Sequence, residues 1–304
     1  MPCYHPLAAW QSKNCKSNGK RAIVFSMPRN VANWEQINLP CGQCIGCRLS
    51  RSRDWAMRCV HEASLHERNC FITLTYNDDN IVWSPVTGEQ TLFKKHLQDF
   101  LKRLRRRIEP CKVRFFACGE YGDTTYRPHY HAILFGYDFP DKVLYKQSLD
   151  GFNYWTSDFL NEVWGHGYCT VCNVSFETCA YVARYVMKKV NGELAKDKYE
   201  GIQPEFVNMS RRPGIAREWF EKYTSDVYPY DEVIIHSNGK TRKLKPCRYY
   251  DKLFDEISPE EMQAIKEKRI IKAKAHEEDI YNGRLEVKEK VQLAKISNLK
   301  RIKI

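Results

Sequence analysis

Two histidines, a glutamate and two tyrosines stand at spacings that could do phosphoryl chemistry. Residues 113–136 read VRFFACGEYGDTTYRPHYHAILFG, two strands joined by the polar turn 121–128. Side chains on a strand alternate faces, so His129 and His131 point the same way, together with Ile133 and Phe135. Glu120 shares its face of the preceding strand with Phe116 and Cys118, within reach of the imidazoles. Two neutral nitrogens and a carboxylate with open positions suit a divalent cation that must also hold a substrate oxygen. The plainer reading is a pair of histidines hydrogen-bonded at a sheet surface. Further on, Tyr181, Arg184, Tyr185 and Lys188 recur at i, i+3, i+4 and i+7, one face of a helix over 176–190. Ser175 caps that helix, and Asn191-Gly192 closes it. A phenol is a nucleophile only once its proton is lost, and Lys188, one turn from Tyr185, can stabilise charge on a phosphate or a phenolate.

A second chemical cluster is CGQCIGC at 41–47. Cys41, Cys44 and Cys47 can converge on one tetrahedral metal, structural Zn²⁺, with the glycines letting the backbone fold around it. Cys3, Cys15, Cys59 and His61 are all candidates for the fourth ligand. An iron–sulfur cluster would need a fourth cysteine that the spacing does not single out. Cys169 and Cys172 lie on a strand rather than in a glycine-containing knuckle, and read as packing.

The elements that position these groups follow from periodicity. Residues 1–40 look like an irregular arm with a short strand at 22–26. A helix covers 49–66, entered just after Arg48, and its arginines, Arg51 and Arg53 among them, form a phosphate-facing surface. A strand at 71–76 lies beside the histidine strand. Leu97, Phe100, Leu101, Leu104 and Ile108 recur at helical spacing over 93–108, against an outer face of lysines and arginines. A loop is expected at 137–150, a helix at 156–164 stopped by Gly165, and a strand at 168–174. A short helix at 215–223 and a hairpin at 232–244 around Asn238-Gly239 come next. From Ser258-Pro259 a helix runs to 281, breaks at Asn282-Gly283, and resumes as a solvated, partly disordered basic tail. Four segments result: a cysteine-rich segment 1–69, a core 70–200, an accessory hairpin and helix 201–257, and a helical tail 258–304. The fold class is α+β, an antiparallel sheet with flanking helices.

The formal charge of +12 and pI near 9.0 point to a polyanionic partner, nucleic acid first and an acidic membrane surface second. No apolar run approaches the ~18 residues of a membrane span, and the first residues lack a signal-peptide core. A cytosolic address follows, in which the thirteen cysteines are thiols or metal ligands rather than disulfides.

The order FITLTY (71–76), RPHYHAILFG (127–136), YVARYVMKK (181–189) resembles the three motifs of HUH rolling-circle replication initiators. The closer resemblance is to the initiators of gokushovirus-type single-stranded DNA phages, of the Microviridae. Those proteins carry a similar CGQCIGCR run, a GEYG–RPHYH block, and segments like SRRPG (210–214) and PCRYY (246–250). The likeness spans most of residues 40–250. It implies a ferredoxin-like HUH endonuclease core. His129 and His131 match the metal ligands, Glu120 sits where relatives place a third, and Mg²⁺ or Mn²⁺ is the implied ion. Tyr185, followed by Lys188, matches the main nucleophile and Tyr181 the alternate one. The implied activity is nicking of single-stranded or hairpin origin DNA through a 5′-phosphotyrosyl link, with religation at the end of a replication round. It would act in the cytoplasm of the bacterial host with a host helicase and polymerase, since the sequence has no Walker A pattern. An HUH transposase or relaxase is the nearest alternative. From another class, the alternative is a non-catalytic zinc-containing single-stranded DNA binder.

Overall fold

The computed structural model describes residues 3–15, 21–148, 151–185, 193–237, 240–275 and 282–297. The chain divides into two compact units, residues 1–50 with 267–304, and residues 51–266.

In the first unit, β1 (Leu7–Cys15) pairs antiparallel with β2 (Arg21–Val24) and with β3 (Trp34–Leu39). The described part of residues 1–40 therefore carries a three-stranded sheet rather than an irregular arm. Its strands are mostly solvated, and Ala9 alone of β1 is buried, so no apolar alternation marks them in the sequence. The helix α1 (Ile45–Ala63) starts inside the cysteine run, four residues earlier than its periodicity shows.

The second unit is built on β4 (Asn69–Thr75), α2 (Lys94–Arg107), β5 (Arg114–Tyr121) and β6 (Pro128–Phe135). An edge insertion, β7 (Val143–Gln147) and β8 (Asn153–Thr156), precedes α3 (Asp158–Trp164) and β9 (Cys169–Cys172). Strands β4, β5, β6 and β9 lie in the order β5-β6-β4-β9, all antiparallel. With α2 and α3 this is the split β-α-β-β-α-β arrangement of ferredoxin-like folds. The expected loop at 137–150 holds β7, which is exposed along its whole length and so carries no strand signal.

Both faces of this sheet are covered, so its central strands are buried almost throughout. On one face, Ile72, Leu74, Phe115, Ala117, Ala132 and Leu134 meet the apolar stripe of α2 and Leu160, Val163 and Trp164 of α3. Ser157 caps α3, its Oγ accepting the Leu160 N–H at 3.0 Å, and Gly165 ends it at φ 67°. On the other face, Phe71, Phe116, Cys118, Ile133 and Phe135 meet α1 and α4 (Phe176–Tyr185). Ser175 and Thr178 exchange hydrogen bonds at the start of α4, as a cap requires. Its expected continuation through Val190 lies outside the described residues.

Beyond α5 (Glu193–Lys198), β10 (Phe206–Met209) joins the sheet beside β5. The second core is closed by α6 (Arg217–Val227), the hairpin β11 (Val233–Ser237) and β12 (Lys240–Leu244), α7 (Arg248–Ile257) and α8 (Pro259–Lys274). The turn residues Asn238-Gly239 fall outside the described residues. His61 of α1 sits in this core, its Nδ1 2.7 Å from the Tyr250 hydroxyl and its ring stacked 3.5 Å from Trp219.

The tail's second helix is present as expected and mostly exposed, but it is held at one place. Within the first unit α9 (Asn282–Ser297) is docked: Leu285 is buried against Tyr4 and Cys44, and His5 Nε2 lies 2.7 Å from Glu289. Among the described residues, no helix is long and apolar enough to cross a membrane.

Candidate active site

The register of β5 against β6 places Glu120 opposite His129 and Cys118 opposite His131. One carboxylate oxygen, Glu120 Oε1, lies 2.7 Å from His129 Nε2 and 3.0 Å from His131 Nε2. Glu120 and His131 are buried, whereas His129 is only partly so, which gives the cluster one open side. Burial alone would raise the Glu120 carboxyl. The two imidazole contacts outweigh it and hold the group well below the usual carboxylate range.

The opposite nitrogen of each ring is also held. His129 Nδ1 donates to the Arg127 carbonyl at 3.0 Å, and His131 Nδ1 lies 3.0 Å from Thr73 Oγ1 on β4. The turn that carries Arg127 is fixed in turn: Gly122 N–H donates to its carbonyl, and its guanidinium reaches the Tyr76 carbonyl and Asp78. Metal-binding histidines are normally oriented in this way, by a partner on the nitrogen that does not touch the ion. The three candidate ligand atoms lie within 4.8 Å of one another. Two imidazoles and a carboxylate, oriented from behind and open on one side, fit a divalent cation.

Helix α4 lies against β5 and β6. The Tyr181 ring meets His131 edge-on with centroids 5.4 Å apart, and meets Phe71 at 6.2 Å. Thus Glu120, His129, His131 and Tyr181 come together. Tyr185 is the last described residue of α4; its side chain, and all of Lys188, lie outside the described residues. Thr73 is the group that sequence reasoning missed. The signal was there, since Phe71, Thr73 and Thr75 share one face of a strand paired with the histidines, Thr73 opposite His131. The basic outer face of α2 lies on the other side of the sheet from this cluster. Several of its cations have local partners, such as Lys95 with Asp99 and Arg107 with Glu162.

The cysteine cluster gathers four thiols: Cys3, Cys41, Cys44 and Cys47. Of the other fourth-ligand candidates, Cys15 is exposed, while Cys59 and His61 are buried in the second core. Cys169 and Cys172 are buried in the sheet, as packing residues would be.

Residues 69–190 match the family model for replication-associated protein ORF2/G2P, a span that runs from β4 through α4 and holds the whole Glu120–His129–His131–Tyr181 cluster. Over 284 residues the chain is 30% identical to "Replication-associated protein ORF2" of Spiroplasma virus 4, covering 88% of this chain and 86% of the relative. It is also 30% identical over 276 residues to "Replication-associated protein VP4" of Bdellovibrio phage phiMH2K, covering 90% and 84%. A shorter match, 37% over 159 residues, is to "Replication-associated protein ORF4" of Chlamydia phage 1, covering 50% and 38%. No solved structure matches the chain. With a two-histidine strand under a tyrosine helix, and two relatives at 30% identity aligned over 86% and 84% of their length, the chain belongs to the ORF2/G2P family of phage replication-associated proteins.

Proposed function

We propose that the chain is an HUH-type endonuclease and ligase that starts and ends rolling-circle replication of a phage genome. The observation that carries this reading is the meeting of Glu120, His129 and His131 beneath α4, with the Tyr181 ring 5.4 Å from His131. A Mg²⁺ or Mn²⁺ ion held by Glu120, His129 and His131 would draw charge from a phosphate oxygen and make the phosphorus more electrophilic.

The chain's own residues supply the rest. A tyrosine of α4, Tyr181 or Tyr185, gives up its phenolic proton to solvent or a nearby base, and its oxygen attacks the phosphorus. The P–O3′ bond breaks, the departing oxygen takes a proton, and a 3′-hydroxyl is left free to prime synthesis. One phosphodiester has been exchanged for another, so attack by a later 3′-hydroxyl on the 5′-phosphotyrosyl link rejoins the strand. Two tyrosines one helical turn apart allow a second cut while the first link is still in place. Lys188, three residues after Tyr185 in the sequence, is assigned to balancing charge during this exchange.

The substrate is single-stranded or hairpin origin DNA, since attack from α4 requires the strand to be out of the duplex; the charge of +12 favours that polyanion. Strand separation and synthesis are assigned to the host's helicase and polymerase, in the host cytoplasm. The test is incubation with end-labelled single-stranded DNA from the cognate genome and Mn²⁺, followed by a denaturing gel. Label should stay on the protein, vanish in His129→Ala, and fall in Tyr181→Phe and Tyr185→Phe. Tight DNA binding with no adduct anywhere along the genome would leave a non-catalytic single-strand binder instead.

A further inference from the structure

We infer that Cys3, Cys41, Cys44 and Cys47 together hold one Zn²⁺ in a closed four-thiolate site that organises the first unit. The four Sγ atoms lie within 4.8 Å of one another, and Cys44 Sγ is 3.8 Å from Cys3 Sγ. A tetrahedron with Zn–S bonds of about 2.3 Å has edges of about 3.8 Å. A disulfide would need an S–S distance of about 2.05 Å, so this spacing excludes a bond between the sulfurs and leaves room for an ion at their centre.

The backbone is arranged for charged sulfur. Cys41 N–H points at Cys3 Sγ at 3.2 Å, Tyr4 N–H at Cys44 Sγ at 3.3 Å, and the N–H groups of Gln43 and Cys44 at Cys41 Sγ at 3.4 and 3.2 Å. A neutral thiol is a weak acceptor, whereas a thiolate gains from several such donors. Gly42, at φ 76°, makes the tight turn that brings the amides after Cys41 round to its sulfur. Four soft ligands in a tetrahedron leave no position for water or substrate, which marks a structural rather than a catalytic ion. On loading, the thiols lose their protons to solvent as the Zn–S bonds form.

The site also explains how so small a unit is held. Its cluster of buried side chains is Tyr4, Cys44 and Leu285, with Cys3, Cys41, Ile45 and Cys47 packed around them. Such a core is too small to stabilise a sheet and a docked helix unaided. A metal that joins residue 3 to residues 41–47 closes the segment containing β1, β2 and β3. It also fixes Tyr4 and His5, which hold α9 through Leu285 and Glu289. The inference does not depend on the nuclease reading.

Full-length protein, dialysed against a mild chelator, is analysed for metal by inductively coupled plasma mass spectrometry. About one zinc per chain is expected, retained in His129→Ala and in Cys15→Ser and lost in Cys3→Ser. Replacement with Co²⁺ adds a readout that does not depend on zinc content. The wild type should show sulfur-to-metal charge transfer and intense visible bands of a four-thiolate tetrahedron, and Cys3→Ser should weaken and shift them. Wild-type protein without metal, or Cys3→Ser with full zinc and an unchanged Co²⁺ spectrum, would overturn the assignment. Iron in place of zinc would overturn the identity of the ion.

Discussion

Replacing Thr73 by valine removes one hydroxyl while keeping nearly the same shape, and that hydroxyl lies 3.0 Å from His131 Nδ1. When Nε2 of His131 faces a metal, Nδ1 carries the ring proton and the Thr73 oxygen accepts it. Thr73 and His131 are both buried, 6% and 1% exposed, so water cannot take over. Loss of the acceptor for a buried donor costs about 1–3 kcal/mol. Independently, loss of an outer partner of a metal-binding histidine lowers metal affinity roughly 10–100-fold, which at about 1.4 kcal/mol per tenfold is about 1.4–2.8 kcal/mol. The two routes agree. The assay is a Mn²⁺ titration, followed by calorimetric binding and by adduct formation on single-stranded cognate DNA. In Thr73→Val both midpoints should rise roughly 10–100-fold, the rate at saturating Mn²⁺ should stay close to wild type, and Thr73→Ser should restore the midpoint. An unmoved midpoint, or a loss that saturating metal does not relieve, would refute the positioning role.

Three further outcomes test the fold around the site. Burial holds His61 down to about 3, whereas an unfolded histidine titrates near 6.5. Between those values the unfolded chain binds the extra proton. Stability is therefore full above about pH 6.5 and falls with acidification by up to about 1.4 kcal/mol per pH unit. Urea midpoints near pH 7 and near pH 5 should show a shallower decline in His61→Gln, and equal declines would contradict the assignment. Glu62, 2% exposed, pairs with Arg114 and accepts the Ala216 N–H at 2.5 Å where the backbone turns through φ 60°. Glu62→Ala should cost roughly 3–5 kcal/mol, by removing the carboxylate partner of the partly buried Arg114 and leaving the buried Ala216 N–H without its acceptor. In a unit of this size that is a melting shift of roughly 6–20 °C; a shift below about 2 °C would show the pair to be dispensable. Gly167, at φ 151°, has room for no side chain, since a Cβ there would stand 2.4 Å from Asn77 N and 2.5 Å from the Thr75 carbonyl. Gly167→Ala should destabilise by at least ~1–3 kcal/mol and lower nicking by displacing the end of β4, and a variant as stable and active as wild type would contradict the packing described.

How much was legible in the sequence depended on burial. Strands β5 and β6 pack on both faces, so their residue types and polar turn mark them, and the pleat alone sets His129, His131 and Glu120 on one side. The stripe of Leu97, Phe100, Leu101 and Leu104 made α2 equally plain. Strands β1 to β3 and β7 bury too little to leave a pattern. Helix α7 shows in the sequence only as Tyr250, Leu253 and Phe254, a single i, i+3, i+4 set that is too short to establish a period. Cys3 could not be ranked above Cys15 or Cys59 from spacing, because its partner Cys41 is 38 residues away and only the folded chain joins them. The docking of α9 rests on one apolar side chain, Leu285, in an otherwise charged segment, and one residue sets no period.

The most direct test of the nuclease reading is to locate the DNA on the protein. Adduct formed with Mn²⁺ and single-stranded cognate DNA would be nuclease-trimmed, digested with trypsin and sequenced by mass spectrometry. Cleavage after Arg184 places Tyr181 in the peptide 147–184 and Tyr185 in YVMK at 185–188, so the two nucleophiles are read separately. A nucleotide joined through its 5′-phosphate to Tyr181 or Tyr185 is the predicted result. Adduct on a residue outside α4, or cleavage that leaves no nucleotide on the protein, would contradict it.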